Sequence, residues 1–232
     1  MVSVSARPGS MGERPTLGTR CVLFDIGGVL VRWDDEVAFR RVARRYHLDP
    51  ERAGSFLRAL RPGLQSGRLT LHAFWSGFAR RAGVPIPDEW RTLWVSELAR
   101  GAKVQRSVQR LAGDLRRAGV RTGLFSNTDP SHWRHFRAAG WLDGFSPLIT
   151  SFGIGAVKPD TVAFRRAARQ LPKGTRRPVF VDDNPANLRP AGLVGWDPIL
   201  FTSVGQLRRD LRTRGLFGPA PAPRRVPPRS ND

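Results

Sequence analysis

Seven residues of this chain carry groups that could do chemistry together: Asp25, Gly27, Ser126, Asn127, Lys158, Asp182 and Asp183. Asp25 follows the apolar run Val22-Leu23-Phe24, and Gly27-Gly28 come just after it. That order puts a carboxylate at the C-terminal tip of a strand, beside backbone able to bend sharply and approach a ligand. Ser126-Asn127, Lys158-Pro159-Asp160 and Asp182-Asp183-Asn184 add a hydroxyl, an ammonium and two further acids. The set suits an aspartate nucleophile, an anion clamp and a metal ligand. Lys158 is informative because lysine occurs only at positions 103, 158 and 173, whereas arginine supplies 36 of the 39 basic residues. A compact point charge fits between carboxylates better than a planar guanidinium fork.

The elements that must position these residues alternate in texture. Short apolar runs at 21–26, 120–125, 147–151, 178–182 and 198–202 suit buried strands. Amphipathic segments near 104–118, 130–139, 160–170 and 185–194 suit helices between them. This alternation predicts an α/β fold: a Rossmann-like parallel sheet with crossover helices. Residues 35–103 break the pattern. They show no strand and carry helical candidates near 35–47, 50–60, 70–82 and 87–101, with Thr70 as a cap. The predicted organisation is a core from 20–34 and 104–212, with a helical cap inserted at 35–103. A disordered tail is expected at 1–19 and a Pro-rich mobile tail at 213–232. Asp25, Ser126 and Asp182-Asp183 all fall at strand C-termini, where open parallel sheets bind ligands. An insertion leaving the first tip would lie over them as a lid.

Composition narrows the classes. No apolar run approaches the ~18 residues of a membrane span, and no apolar signal core precedes the first strand, so a cytoplasmic protein without membrane association is expected. A single cysteine, Cys21, excludes an intramolecular disulfide and reads as a small core residue. Trp75, Trp90 and Trp94 read as core of the insertion. The net charge of +20 favours an anionic substrate. The arginines are spread along the chain, many on polar helix faces, which argues for a solvated surface over a dedicated nucleic-acid role. Oligomeric state is left open. The histidines at 47, 72, 132 and 135 are scattered and suggest no metal site.

The segments Phe24-Asp25-Ile26-Gly27-Gly28-Val29-Leu30, Leu124-Phe125-Ser126-Asn127-Thr128, Val157-Lys158-Pro159-Asp160 and Phe180-Val181-Asp182-Asp183-Asn184, in this order, resemble the haloacid dehalogenase-like hydrolase superfamily. The likeness is to phosphatases with a small helical cap after the first strand, including the N-terminal phosphatase of soluble epoxide hydrolase and sugar-phosphate phosphatases. The resemblance implies a phosphatase acting on a small phosphorylated metabolite through an aspartyl-phosphate. It implies Asp25 as nucleophile, Mg²⁺ held by Asp25, the Gly27 carbonyl and Asp183, with Asp182 as ligand or neighbour, and Ser126, Asn127 and Lys158 on the phosphate. Lys158 also offsets the crowded acids.

One position departs from that resemblance. The phosphatases usually carry a second aspartate two residues after the nucleophile as general acid and base; here that residue is Gly27. A backbone carbonyl survives the change and proton transfer does not, which suggests weak activity or selectivity for good leaving groups. Two alternatives accompany the phosphatase reading. One is a 2-haloacid dehalogenase, against which the Asp182-Asp183 pair argues, since extra negative charge disfavours a halide site. The other is a catalytically weak or inactive domain whose basic surface binds nucleic acid or a protein partner. Taken singly, each motif also has a local explanation: Ser126-Asn127 or Asp160 as helix caps, and Asn184-Pro185 as a helix start.

Overall fold

A computed structural model describes residues 20–217, apart from Pro87. The tails expected to be disordered, 1–19 and most of 213–232, lie outside the described residues. Five parallel strands form the central sheet: β1 (Cys21–Phe24), β4 (Arg121–Ser126), β5 (Leu148–Thr150), β6 (Val179–Asp182) and β7 (Asp197–Leu200). Their order is β5-β4-β1-β6-β7, so β1 lies in the middle, flanked by β4 and β6. Adjacent β1 residues face opposite layers. Val22 and Phe24 pack with α5 (Arg106–Arg117) and α10 (Val204–Thr213), through Leu111, Leu115, Leu207 and Leu211. Cys21 and Leu23 pack with α8 (Thr161–Ala168), through Ala163 and Phe164. Covering both faces makes the strands apolar throughout, which is why they appear as runs and not as alternations. Burial raises the Cys21 thiol to about 11, against a weaker opposing effect of Arg121, consistent with a core residue.

Four helices lie between the two strands of a small antiparallel ribbon, β2 (Val31–Arg32) and β3 (Lys103–Val104). They are α1 (Asp35–Arg45), α2 (Pro50–Gln65), α3 (Leu71–Ala82) and α4 (Trp90–Gly101). A separate core of Phe39, Leu57, Leu64, Phe74, Trp75, Phe78 and Trp94 holds them together. Trp75 and Trp94 are almost wholly buried there, and Trp90 packs against its edge.

Local signals set many boundaries. Thr70 accepts a hydrogen bond from the Ala73 N–H at 3.1 Å, Asp160 from Val162 at 2.8 Å and Asn184 from Ala186 at 3.0 Å, each capping a helical start. α6 (Pro130–Ala138) is capped by Asp129 and not by Ser126 or Asn127. Other boundaries move. α2 runs past the expected residue 60 and through Pro62, because Leu57, Leu60 and Leu64 bury its inner face against the cost of one missing N–H donor. The segment 185–194 divides into a 3-10 turn, Pro185–Asn187, and α9 (Leu188–Leu193). The ribbon strand β3 begins inside the stretch read as strandless, and two residues are too few to show a period. α7 (Ser151–Ile154) and α10 complete the elements that the periodicity did not separate. Among the described residues, no helix is long and apolar enough to cross a membrane.

Candidate active site

The central position of β1 sets the site. Asp25 follows its last residue, and the Asp25 N–H still donates to the Val181 carbonyl on β6 at 2.8 Å. The same register carries Asp182 and Asp183 to the end of β6 and Ser126 to the end of β4. One cavity of about 310 Å³ is lined by Asp25, Gly27, Gly28, Ser126, Asn127, Lys158 and Asp183. Six of the seven residues singled out in the sequence therefore share a single space. The seventh, Asp182, is fully buried behind it.

Lys158 ties the acids together. Its Nζ lies 2.6 Å from Asp182 Oδ2 and 3.1 Å from Asp25 Oδ1, and donates to the Phe125 carbonyl at 3.2 Å. Its side chain is 1% exposed and rests over the rings of Phe125 and Phe180. Burial opposes the charge, but the Asp25 and Asp182 carboxylates outweigh it and hold the ammonium above the ordinary lysine range. Asp25 moves the other way from a usual ion-paired acid. Burial raises its pKa to about 6; Lys158 pulls it down and neighbouring Asp182 pushes it up. Burial and then Asp182 also raise Asp183.

The two acids at the end of β6 differ in what they can still bind. Asp182 accepts from Lys158, from the Asn184 N–H at 2.9 Å and from Asn187 Nδ2 at 3.0 Å to each oxygen. Asp183 is exposed and faces the cavity. One oxygen from each of Asp25, Asp182 and Asp183 can lie within 4.8 Å of the others, a spacing that could hold a metal ion. An all-carboxylate set with a nearby backbone carbonyl suits a hard divalent cation. Ser126 is buried and its hydroxyl has no protein partner among the described residues, leaving it available to an anion in the cavity. Asn127 lines the wall, but its amide is engaged at both ends by the Lys158 backbone, at 2.8 and 2.9 Å. It fixes the loop that presents the lysine.

Sequence reasoning missed the outer wall. Trp33, Asp35, Arg61 and Gln65 line the same cavity from the ribbon, α1 and α2. Asp35 accepts from Trp33 Nε1 at 2.6 Å and pairs with Arg61. Gln65 donates to the Asn127 carbonyl at 3.2 Å, and its own carbonyl accepts from Ser151 Oγ at 2.6 Å, seating α2 on the core. The signal available was the i, i+4 spacing of Arg61 and Gln65, which places both on one helix face. It carries no direction toward the site without the packing of α2.

A parallel sheet with acids at its strand tips is a ligand site shared by many functions, and the sequence narrows them. A family profile for haloacid dehalogenase-like hydrolases matches residues 19–195, so the chain belongs to that family. Bifunctional epoxide hydrolase 2 of Rattus norvegicus is 28% identical over 165 residues, covering 66% of this chain and 29% of that protein. The chain therefore spans less than a third of that relative's length. The family enzyme bt-2542 of Bacteroides thetaiotaomicron superimposes with a TM-score of 0.63 at 20% identity, covering 80% of this chain and 94% of that one. That enzyme is also known in complex with magnesium and inorganic phosphate. L-2-haloacid dehalogenase of Xanthobacter autotrophicus, with chloropropionic acid covalently bound, gives a TM-score of 0.55 at 20% identity over 87% of this chain and 85% of that one. At these identities the structural likenesses concern the fold.

Proposed function

We propose that this hydrolase is a Mg²⁺-dependent phosphatase of small phosphorylated metabolites. The observation that carries the reading is the meeting of Asp25, Asp183, Lys158 and the unpartnered Ser126 hydroxyl around one cavity. Mg²⁺ would be held by Asp25, the Gly27 carbonyl and Asp183, where it would neutralise phosphoryl charge. Asp182 serves that cluster from behind by holding Lys158 in place. A phosphoryl oxygen takes the Ser126 hydroxyl, while Lys158, whose three N–H groups already meet Asp25, Asp182 and the Phe125 carbonyl, supplies positive charge beside it. Asp25 then attacks phosphorus in line; a P–O bond to Asp25 forms while the P–O bond to the leaving group breaks. Water next attacks the aspartyl-phosphate, releasing inorganic phosphate and restoring the carboxylate.

Gly27 offers no proton to the departing oxygen, so the leaving group must depart as a stable anion or bring its own proton. Aryl and anomeric phosphates fit that requirement better than simple alkyl phosphates. The acid pair at 182–183 supports a cation over the metal-free halide chemistry of a dehalogenase. A panel of phosphate esters assayed with and without Mg²⁺, beside Asp25→Asn, tests the reading. Aryl-phosphate hydrolysis that needs the metal and vanishes in Asp25→Asn is the expected result. Haloacid turnover that survives EDTA, or no turnover of any ester, would overturn it.

A further inference from the structure

Gly28 and Asp183 line two clefts. One is the cavity beneath α2. The other, about 350 Å³, opens on the core side and is lined by Arg32, Gln105, Ser107 and Ser203 as well as by Gly28 and Asp183. Ser107 and Val204 carry it on into a groove of about 700 Å³ between α5 and α10. In sequence the arginines look dispersed, but the fold gathers Arg106, Arg110, Arg117 and Arg208 on this one groove. The sole acid lining it, Asp114, is shared between Arg117 and Arg208. Among the described residues, neither Arg32, Arg106 nor Arg110 has a carboxylate partner.

Like charges held together in this way favour an anion that bridges them. α5 has 12 residues and is about 18 Å long at ~1.5 Å per residue, enough to follow several phosphates of a chain. The adjoining cleft of about 350 Å³ is the size of a small-molecule pocket, so it admits the end of a single strand and not that of a duplex. The aromatic residue lining the trough, Phe201, is buried and offers no stacking platform, which limits contact to phosphates and makes binding insensitive to base sequence. We propose that this arginine trough docks single-stranded nucleic acid through its backbone, with a terminal phosphate led past Gly28 toward Asp25. The delivery of that phosphate rests on the phosphatase reading; the docking does not.

Fluorescence anisotropy with a labelled oligodeoxythymidylate, titrated over a series of salt concentrations without Mg²⁺, tests the docking on the full chain. Arg106→Ala/Arg110→Ala should weaken binding at least tenfold. It should also flatten the slope of log affinity against log salt by ~1.4, at ~0.7 per lost single-strand phosphate contact. Aryl-phosphate turnover in that variant should match the parent. Arg80→Ala/Arg81→Ala on α3 removes equal charge elsewhere and should leave affinity within about twofold. An unchanged slope in the Arg106/Arg110 variant, an equal loss in the α3 variant, or binding of inorganic polyphosphate without oligonucleotide binding would each overturn the proposal. A parent chain that hydrolyses aryl phosphate but binds no oligonucleotide counts against the trough alone. Docking without any phosphatase activity counts against the hydrolase reading alone.

Discussion

Gly28 and Asp183 interlock: a methyl group built on Gly28 would lie 1.8 Å from Asp183 Oδ2. Gly28 also sits at φ +72°, a conformation that side chains rarely adopt. The glycine therefore makes room for the acid that faces the cavity. Gly28→Ala should leave a folded protein whose Asp183 is displaced. We expect Mg²⁺ affinity to fall at least tenfold, with kcat/KM falling in step, measured by metal titration and by aryl-phosphate kinetics. An unchanged metal affinity would remove Asp183 from the metal-binding set.

Its neighbour Gly27 behaves differently. A Cβ there meets nothing within 4 Å, and its backbone is not left-handed. The glycine is sterically replaceable, and position 27 lines the cavity. Gly27→Asp should therefore fold and supply the missing proton donor. Turnover of alkyl phosphates should rise by about 10² relative to aryl phosphates, the lower end of general acid catalysis. Gly27→Asn, which places a similar volume without a transferable proton, should show no such gain.

Asp25 costs the metal-free fold stability. Its carboxyl titrates near 6 in the folded chain against 3.8 ordinarily, chiefly through burial. A raised folded value contributes stability below the unfolded pKa, and that contribution is lost as pH rises through about 6. At pH 8 in EDTA, Asp25→Asn should be more stable than the parent by on the order of 1 kcal/mol. Mg²⁺ should narrow the difference. Urea denaturation at pH 5 and pH 8 measures both effects.

A second titrating pair joins α4 to α6. His132 is buried, stacked on Trp94 at 5.2 Å, and contacts Asp129 at 3.2 Å and the Trp94 carbonyl at 3.2 Å. Burial holds its pKa below the ordinary histidine value, despite the pull of Asp129; Arg61 lowers it further and Asp35 opposes. Asp129 is itself held low: burial opposes its charge, but His132, Ser131 and two backbone N–H groups outweigh that. A depressed folded pKa gives stability above the unfolded value that is lost on acidification. The contribution of His132 should decline below about pH 6.5, where a free histidine charges, against the opposite trend of Asp25. His132→Gln should flatten that decline between pH 7.5 and 5.5, followed by denaturation with tryptophan fluorescence as the probe.

Strand positions, the acid at the tip of β1, the order of the four motifs and the helical character of 35–101 were legible in the sequence. Each rests on local information: an apolar run long enough to cross a sheet, or a cap beside a helix start. The family resemblance came from the same short segments. The sequence did not settle which of Asp182 and Asp183 touches a metal directly, because adjacent residues at a strand end differ only in which way each points. Tertiary packing separated them, by surrounding Asp182 with Lys158, Asn184 and Asn187 and turning Asp183 to the cavity. The same holds for Arg61 and Gln65 on α2, and for the arginines of α5 and α10. Which faces of distant helices meet depends on long-range burial, and no local pattern in the chain encodes that choice.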